Sequence, residues 1–324
     1  MDLNQTRLFL AGAAGMTGVA IIRHLLNTYP GIHIRGTFLH TPLQLEDIRL
    51  EPVRADLTII DDCHEAVRGC DTAILAAART YGAALTKERP WCQINDNLIM
   101  NTLMLQACHE VGVKRLIFIS SSTVYQEFDG LIREDGLDLN RDPYSTYLGV
   151  GWVMRSLEKL CFFWHMQTGM EIAVARAGNI YGPFARFDPA TSNVIPALIR
   201  KGAERMAPFE VWGTPEAARD LVFADDMAKA LTLMLEKDEI GYEIFNIGSG
   251  KPVTVDEMVK IVLETADFTP LVRYNTTGPT TIPFRGLDCS KAANLLGWTA
   301  STSIRDGIAK TYEWWIENKE RWSR

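Results

Sequence analysis

Two hydroxyl-rich segments carry the residue types that move protons to and from an alcohol or a ketone. The first, SSSTVY at residues 120–125, follows an apolar run, and the second, PYSTY at residues 143–147, precedes a stretch with helical spacing of apolar residues. Hydroxyls at the carboxyl end of a strand, beside a cofactor crevice, can bind an alcohol and exchange its proton. These segments therefore predict acid–base chemistry on a hydroxyl or carbonyl group.

A glycine-rich turn near the amino terminus predicts the cofactor crevice. The sequence GAAGMTG, residues 12–18, follows the apolar run RLFLA and opens a segment with helical periodicity. Glycine accepts positive φ and lets a pyrophosphate approach the backbone, while a helix N-terminus supplies free N–H groups and a positive dipole. A merely tight turn is the alternative, but the strand before and the helix after favour a dinucleotide site. We assign to that site Gly12, Gly15, Met16, Thr17 and Gly18.

The end of the second predicted strand bears on which dinucleotide binds. NAD sites usually place an acid there, because a carboxylate accepts bonds from the ribose hydroxyls and repels a 2′-phosphate. Here the strand ends IRGTFLH, residues 34–40, with no acid. Arg35 or His40 could reach a 2′-phosphate, although either equally suits a solvated surface position. Between NADP and NAD, the sequence favours NADP.

Strands alternate with helices through the first half of the chain. Strand-like apolar runs at 7–11, 32–38, 72–77, 116–120 and 172–175 are separated by helix-like segments. Such spacing requires crossover connections, which give a parallel sheet. We predict an α/β fold: a Rossmann-type doubly wound parallel sheet with a smaller C-terminal α/β substrate-binding lobe.

The composition of the sequence changes after about Gly178, where proline and glycine become frequent. We place the NAD(P)-binding domain at residues 1–178, with about 219–237 packing back onto it. The substrate-binding lobe takes residues 179–324. A helix is expected at 224–235, in the segment that packs back onto the first domain, and further helices are expected in the lobe at 255–265, 290–296 and 304–319.

Composition excludes several classes of function. The 324 residues carry a net charge of −7 without a long basic run, so nucleic acid is a poor partner and a small anionic molecule suits the isolated arginines better. The six cysteines show neither a CxxC pair nor metal-type spacing, which is typical of reduced thiols and predicts no metal site. Nothing resembles a signal peptide or a membrane span. We therefore expect a cytoplasmic protein that does not bind membranes.

Further motifs follow in a fixed order along the chain. They are RAGNIYGP at 176–183, SNVIP at 192–196, RDLV at 219–222, NIG at 246–248 and LGW at 296–298, with Arg285 before Asp288. Together with the glycine turn and the SSSTVY and YSTY segments, this series resembles the extended short-chain dehydrogenase/reductase family. The resemblance covers nearly the whole chain and is closest to the GDP-fucose synthase-like members of its nucleotide-sugar epimerase and dehydratase group.

The resemblance implies a role for each matching residue. Tyr147 would be the acid/base toward a sugar hydroxyl or ketone, assisted by Ser121. Tyr147 would also contact the cofactor, together with Asp56, Leu57, Ala76, Ala77, Ala78 and Asn97. The nucleotide sugar would contact Ser122, Thr123, Asn179, Asn193, Arg219 and Arg285. Two arginines with amide donors suit a pyrophosphate, which guanidinium groups clamp in bidentate fashion.

One position that affects proton transfer differs from the family pattern. The family has Tyr-x-x-x-Lys, whose lysine binds the nicotinamide ribose and lowers the tyrosine pKa from its free value of about 10. Here Gly151 stands at the lysine position, and Arg155 and Lys159 lie one or more helical turns beyond it. A tyrosine without this lysine is a weaker base, which impairs the oxidation of an alcohol more than the reduction of a ketone. The departure favours a reductase and keeps open a catalytically degenerate relative that only binds cofactor and nucleotide sugar.

Two further positions narrow the reaction. Family dehydratases carry an acidic pair where this chain has Ser122 and Thr123, which argues against 4,6-dehydration. The GDP-fucose synthase-like members use a cysteine and a histidine for epimerisation, where this chain has Thr123 and Asn193. We predict an NAD(P)-dependent nucleotide-diphosphate-sugar epimerase or 4-ketoreductase. A reductase of a non-sugar ketone is a further alternative, but it leaves the two arginines without an anion.

The resemblance also implies a homodimer. In the family, the helices equivalent to those predicted at 95–110 and 147–166 form a four-helix interface between subunits. Apolar residues on the second of these helices, such as Val153 and Leu157, equally suit burial within one subunit.

Overall fold

Alternating apolar strands and amphipathic helices give the chain a central sheet with helices on both faces. The computed structural model describes residues 1–81, 85, 88–89, 91–277 and 282–322. The strands are β1 Arg7–Ala11, β2 His33–Phe38, β3 Leu50–Arg54, β4 Thr72–Leu75, β5 Arg115–Ser121, β6 Leu131–Ile132, β7 Glu171–Ala177, β8 Asn179–Tyr181, β9 Phe209–Trp212, β10 Ala218–Arg219, β11 Leu221–Phe223, β12 Tyr242–Ile247, β13 Val253–Thr254, β14 Val272–Asn275 and β15 Phe284–Leu287. The α-helices are α1 Met16–Thr28, α2 Ile60–Val67, α3 Asn95–Val111, α4 Leu148–Thr168, α5 Val194–Ala203, α6 Ala224–Glu236, α7 Val255–Thr265, α8 Ser290–Leu296 and α9 Ile304–Asn318.

The main sheet has seven strands in the order β3-β2-β1-β4-β5-β7-β12. Every neighbouring pair in it is parallel. Successive side chains of β1 face opposite layers: Leu8 and Leu10 pack with α1 and α6, whereas Phe9 and Ala11 pack with α2, α3 and α4. This is the doubly wound arrangement, so the fold class predicted from the sequence is confirmed.

A second lobe lies beside the carboxyl ends of these strands. Its core joins the apolar faces of α5, α7 and α9 around Phe187 and Trp315, whose rings stack with centroids 4.2 Å apart. A small four-stranded sheet in the order β13-β10-β15-β6 lies beside this core. One strand of the main sheet, β12, comes from well beyond residue 178, so the two lobes are interleaved in sequence.

Among the described residues, no helix combines the length and the hydropathy needed to cross a membrane. The described part of the chain also brings together no group of three or more His, Cys, Asp or Glu side chains that could hold a metal ion.

Candidate active site and cofactor crevice

A cavity of about 1230 Å³ runs along the carboxyl ends of the main strands and into the second lobe. Its walls come from the segments that follow β1, β2, β3, β4, β5 and β7, and from α5, β9 and β10 of the second lobe. Ligands of open parallel sheets bind at this edge, where strand order reverses between β1 and β4. The cavity is large enough for a dinucleotide and a second small molecule.

The glycine turn at one end of the cavity leaves its backbone open. Gly12 has φ of +76°, and a Cβ there would lie 2.8 Å from the Ala77 Cα. A Cβ on Gly18 would lie 2.3 Å from the Gly12 carbonyl oxygen. Gly15 precedes the first turn of α1, and no side chain caps the N–H groups of that helix end, to which Met16 and Thr17 belong. The first turn of α1 therefore presents backbone N–H groups, without a side-chain cap, to an anion.

The adenosine end of the cavity contains Asp56 and Leu57, directly after β3. The Asp56 carboxylate accepts hydrogen bonds from the Thr58 N–H at 3.0 Å and hydroxyl at 2.7 Å, and these bonds hold its pKa below the ordinary value. His40 lines the cavity nearby. Arg35 does not: it is buried under the sheet, where it donates to the Ala66 carbonyl at 3.0 Å and pairs with Glu51 and Glu65. The suggestion that Arg35 meets a 2′-phosphate is therefore wrong, because side chains alternate across a strand.

The loop after β4 forms the wall under the middle of the cavity. Ala76, Ala77 and Ala78 line it, and their small side chains let the glycine turn approach. Asn97 on α3 is buried and holds this loop: its Oδ1 accepts from the Arg79 N–H at 2.7 Å and its Nδ2 donates to the Arg79 carbonyl at 3.0 Å. Asn97 thus shapes the crevice through the backbone of residue 79.

The two hydroxyl segments meet across the cavity as the sequence predicts. Ser121, Thr123 and Tyr147 line the cavity. The Ser121 Oγ accepts from the Thr123 N–H at 3.2 Å, which leaves its own proton free for a ligand. Thr123 Oγ1 is buried without a hydrogen-bond partner in the described structure. Ser122 is buried in the following 3₁₀ turn and lies outside the cavity wall, so the structure does not bring it to the substrate.

Gly151 is in direct contact with two other segments, so the family's lysine has no room here. A Cβ on Gly151 would lie 2.6 Å from the Thr123 carbonyl oxygen and 2.6 Å from the Pro143 Cβ. Arg155 is buried with its Nε on the Val124 carbonyl at 2.7 Å and its Nη1 on the Arg141 carbonyl at 2.6 Å. Lys159 is exposed on α4. Neither of these two cations lines the cavity.

Two arginines reach Tyr147 from the second lobe instead. Arg219 on β10 and Arg285 on β15 are register partners in neighbouring parallel strands. Arg219 lines the cavity, as Tyr147 does, and its Nη1 donates to the Ala218 carbonyl at 2.7 Å. Arg285 is buried behind the cavity wall, with its guanidinium carbon 5.9 Å from the Tyr147 ring centre and 5.6 Å from that of Phe128. Burial lowers the pKa of both guanidinium groups, that of Arg285 to about 10.

A buried carboxylate fixes the two strands that carry these arginines. Asp220, next to Arg219, accepts from the N–H groups of Ser249 at 2.6 Å, Gly250 at 3.1 Å and Leu287 at 3.2 Å. Burial raises the pKa of Asp220 above its ordinary value. Asp220 of the RDLV motif is thus bound to the backbone directly after the NIG motif and to β15.

The far end of the cavity is polar and cationic. Asn179 at the start of β8 and Asn193 at the N-terminus of α5 both line it, and the Asn193 amide makes no capping bond to that helix. Lys201 and Trp212 line the cavity as well, and the Lys201 Nζ lies 5.7 Å from the Trp212 ring centre. Sequence motifs did not single out Lys201. Lys201 follows Asn193 by eight residues and so lies on a similar side of α5, and this spacing is the sequence signal that could have indicated Lys201 as a site residue.

Comparisons with known proteins agree with this geometry. The model of the NAD dependent epimerase/dehydratase family matches residues 8–248. GDP-L-fucose synthase 1 of Arabidopsis thaliana is 31% identical over 98% of this chain and 95% of its own length. GDP-mannose 3,5-epimerase 1 of Oryza sativa subsp. japonica is 29% identical over 97% of this chain and 83% of its own length.

A solved structure extends the likeness to three dimensions. MoeE5 in complex with UDP-glucose and NAD superposes with a TM-score of 0.84 at 26% identity, covering 97% of this chain and 99% of that one. The resemblance stated from the motifs is confirmed, and these relatives are enzymes. The family model spans well over half of the residues, and a relative above 30% identity spans nearly all of them. This chain therefore belongs to the NAD dependent epimerase/dehydratase family.

Proposed function

We propose that this protein is a nicotinamide-dependent 4-ketoreductase of a nucleotide-diphosphate sugar. The observation that carries the proposal is one cavity in which the Tyr147 and Ser121 hydroxyls lie between an open glycine turn and a cationic far end. Such an arrangement holds a dinucleotide on one side of a carbonyl group and an anionic ligand on the other. It also provides the proton donor that carbonyl reduction needs.

The residues present fit a nicotinamide dinucleotide. Gly12 and Gly18 have no space for a side chain, and the free N–H groups of α1 suit its pyrophosphate. When bound in reduced form, the nicotinamide supplies a hydride to the sugar carbon. For the adenosine ribose we favour NADP, because the residues that line the cavity after β2 include His40 and no carboxylate. Arg35 no longer contributes to that preference.

The nucleotide sugar binds in the part of the cavity that the second lobe forms. Asn179, Asn193 and Lys201 offer amide and ammonium donors for its diphosphate, and half-exposed Trp212 offers a ring on which a base can stack. Two relatives named above act on GDP-linked sugars, which makes GDP our first choice of nucleotide. Binding energy from this remote nucleotide positions the reacting sugar carbon.

Proton transfer falls to the two hydroxyls. The Ser121 hydroxyl donates a hydrogen bond to the ketone oxygen and orients it. The O–H bond of Tyr147 breaks as that oxygen gains its proton and the carbon gains hydride, so the product is an alcohol. Tyr147 is left as a phenolate and regains a proton from water. The favoured direction matches the sequence argument that reduction needs a phenol, whereas oxidation needs a phenolate at the start.

An epimerase that inverts sugar carbons by proton abstraction is less well supported. Thr123 and Asn193 line the cavity, but a threonine hydroxyl and an amide do not act as bases near neutral pH. An epimerase that recycles its own hydride remains the second candidate, since it needs only Tyr147 and a retained cofactor. The identity of the nucleotide released by denaturing fresh protein separates the two: stoichiometric NAD favours the epimerase, and an empty site that takes up NADPH favours the reductase.

The test is a reductase assay. Purified protein is mixed with NADPH and a GDP-linked 4-keto sugar, and loss of reduced nicotinamide is followed together with formation of the alcohol by mass detection. We expect turnover that Tyr147→Phe abolishes and Tyr144→Phe largely keeps. No turnover with GDP-, UDP- or dTDP-linked 4-keto sugars, despite bound cofactor, would support the degenerate relative. Turnover of a free ketone without any nucleotide would support the non-sugar reductase.

We also propose a homodimer through α3 and α4. These helices pack against each other and expose large apolar side chains, among them Ile99, Phe163 and Met166, the last with 61% of its surface exposed. Such surface is unusual on a monomer. Light scattering should give a dimer for the native chain and a monomer for Phe163→Glu, while Leu295→Glu on α8, an equally exposed apolar site, should stay dimeric.

A further inference from the structure

A buried guanidinium on α4 has no ion-pair partner, although a buried charge is costly. Arg155 has only 2% of its surface exposed. It forms no ion pair with a carboxylate of the described residues, and its Nη2 is buried without a hydrogen-bond partner. An unpaired charge in such a place is less stable than an apolar side chain of similar shape. Stability alone therefore does not account for an arginine at position 155.

The two hydrogen bonds of Arg155 join the two segments that carry the hydroxyls of the site. Its Nε donates to the Val124 carbonyl at 2.7 Å, and its Nη1 donates to the Arg141 carbonyl at 2.6 Å. Ser121 lies three residues before the first of these carbonyls, and Tyr147 lies six residues after the second. One side chain thus holds both segments close to the residues that line the cavity.

Helix α4 holds the Ser121 segment at a second point as well. Glu158, three residues beyond Arg155, accepts a hydrogen bond from the Ser120 hydroxyl at 2.7 Å. Because α4 begins directly after Tyr147, both bonds connect the two hydroxyl segments through one helix. The guanidinium adds a planar fork, which holds two carbonyl oxygens in one geometry. The place of Ser121 relative to Tyr147 therefore depends on these bonds.

Another bond between the same two segments lies at the surface. The Arg141 Nη2 donates to the Glu127 carbonyl at 3.1 Å, and both residues are exposed. Water competes for an exposed bond, so its net contribution is small. The bonds of Arg155 are formed by a buried group, where this competition is weak. Arg155 is therefore the stronger of the two links.

We propose that Arg155 is a positioning residue that sets the distance between the Ser121 and Tyr147 hydroxyls. It does not line the cavity, so it acts through the backbone of the two segments. Reduction of a ketone needs both hydroxyls at the same oxygen, and misplaced groups lower the rate more than they weaken binding. This inference rests on the proposed function, because that function assigns both hydroxyls to the ketone oxygen.

Hydrogen exchange followed by mass spectrometry tests the link without any substrate. In Arg155→Met, an apolar side chain leaves the carbonyls of residues 124 and 141 without this partner. We expect peptides that cover 121–126 and 141–147 to exchange about tenfold faster than in the native chain, while the glycine turn at 12–18 keeps its native rate. Equal acceleration along the whole chain, or no change in the two segments, overturns the proposal.

Kinetics with the nucleotide sugar shows what the link does for the reaction. Arg155→Met should lower kcat by about tenfold to a hundredfold and leave KM and the dissociation constant of the cofactor within about threefold. Arg155→Lys should lose less, because an ammonium still donates to the carbonyls but lacks the planar fork. If Arg155→Met does not fold, Arg155→Lys replaces it, and native values of both kcat and hydrogen exchange in that variant then overturn the proposal.

Two control variants separate positioning from stability. Val153→Ala removes a buried apolar contact of the same helix, so it should lower the midpoint of thermal unfolding and keep the native kcat. Arg141→Gln removes the exposed bond to residue 127 and should keep kcat within about twofold. A loss of kcat in Val153→Ala equal to that in Arg155→Met would overturn the proposal. Absence of turnover in the native chain with every nucleotide sugar would overturn the proposed function alone, because hydrogen exchange still reports on the link.

Discussion

The two ends of the cavity are built in different ways. At the dinucleotide end, one continuous turn and its neighbouring strands make the site from backbone, and a Cβ on Gly12 or Gly18 would lie within 3 Å of main-chain atoms. At the catalytic end, Ser121 of β5 and Arg219 of β10 line the cavity with Tyr147, and the Arg285 guanidinium carbon of β15 lies 5.9 Å from the Tyr147 ring centre. A site made of backbone has no room for a side chain at its most crowded glycines, whereas a site made of side chains can take the same chemical group from different elements. The following predictions test this contrast.

The largest expected effect belongs to the catalytic end. Tyr147→Phe removes the proton donor and keeps the ring, so kcat should fall by about 10²–10⁴ while the affinity for the nucleotide sugar stays within a few fold. Steady-state kinetics with calorimetric binding measures both. Turnover within tenfold of the native rate would mean that another group donates the proton.

At the dinucleotide end, Gly12→Ala should destroy cofactor binding. An alanine at position 12 must adopt φ of +76°, and its Cβ would lie 2.8 Å from the Ala77 Cα. We expect the backbone strain alone to lower the free energy of unfolding by about 1–3 kcal/mol. The control is Gly15→Ala, because its nearest contact would be an acceptable 3.4 Å. Thermal unfolding and cofactor titration should show loss in the first variant and near-native behaviour in the second.

Restoring the family's lysine should fail. Gly151→Lys places a Cβ 2.6 Å from both Thr123 O and Pro143 Cβ, and such overpacking costs about 1–3 kcal/mol. We expect lower stability and no gain in turnover, measured by denaturant unfolding and kcat. Ser156→Lys, at an exposed position of the same helix, is the control and should unfold like the native chain. A faster Gly151→Lys enzyme would contradict the view that this position has no room for the family's lysine.

The smallest effect is expected for His40→Ala. His40 lines the cavity near the adenosine end, and a half-solvated contact with a 2′-phosphate is worth up to about 1 kcal/mol. The KM for NADPH should therefore rise roughly twofold to fivefold, with little change in the KM for NADH. Equal effects on both cofactors would remove the remaining structural support for NADP.

Residues near one another in sequence were the easier ones to predict. The glycine turn, the alternation of β1 and α1, and the convergence of the Ser121 and Tyr147 segments all depend on local spacing and on strand ends that meet at one sheet edge. Arg35 was misjudged because its strand position sends it beneath the sheet, toward Glu65. Ser122 was misjudged because a 3₁₀ turn rotates it away from its neighbours.

The place of Arg285 beside Arg219 could not be predicted from the spacing of residues in the sequence. It depends on the pairing of β10 with β15, two short strands 66 residues apart in sequence, whose register brings Arg285 beside Arg219. The crowding at Gly151 likewise depends on Pro143 and Thr123 meeting one face of α4. Contacts of this kind are set by packing between segments that are distant in sequence, and no local pattern of residue types encodes them.

The edge strand β12 is synthesised well after its neighbour β7, and this order affects how the chain folds during synthesis. Until Tyr242–Ile247 has been made, β7 is the edge of the main sheet, and this edge carries six successive buried residues from Ile172 to Ala177. An apolar, unpaired edge invites pairing with another chain. Completion of the sheet must wait for a strand about 70 residues downstream, which raises the contact order and slows folding. A fragment that ends near residue 178 would accordingly aggregate instead of forming an independent cofactor-binding domain.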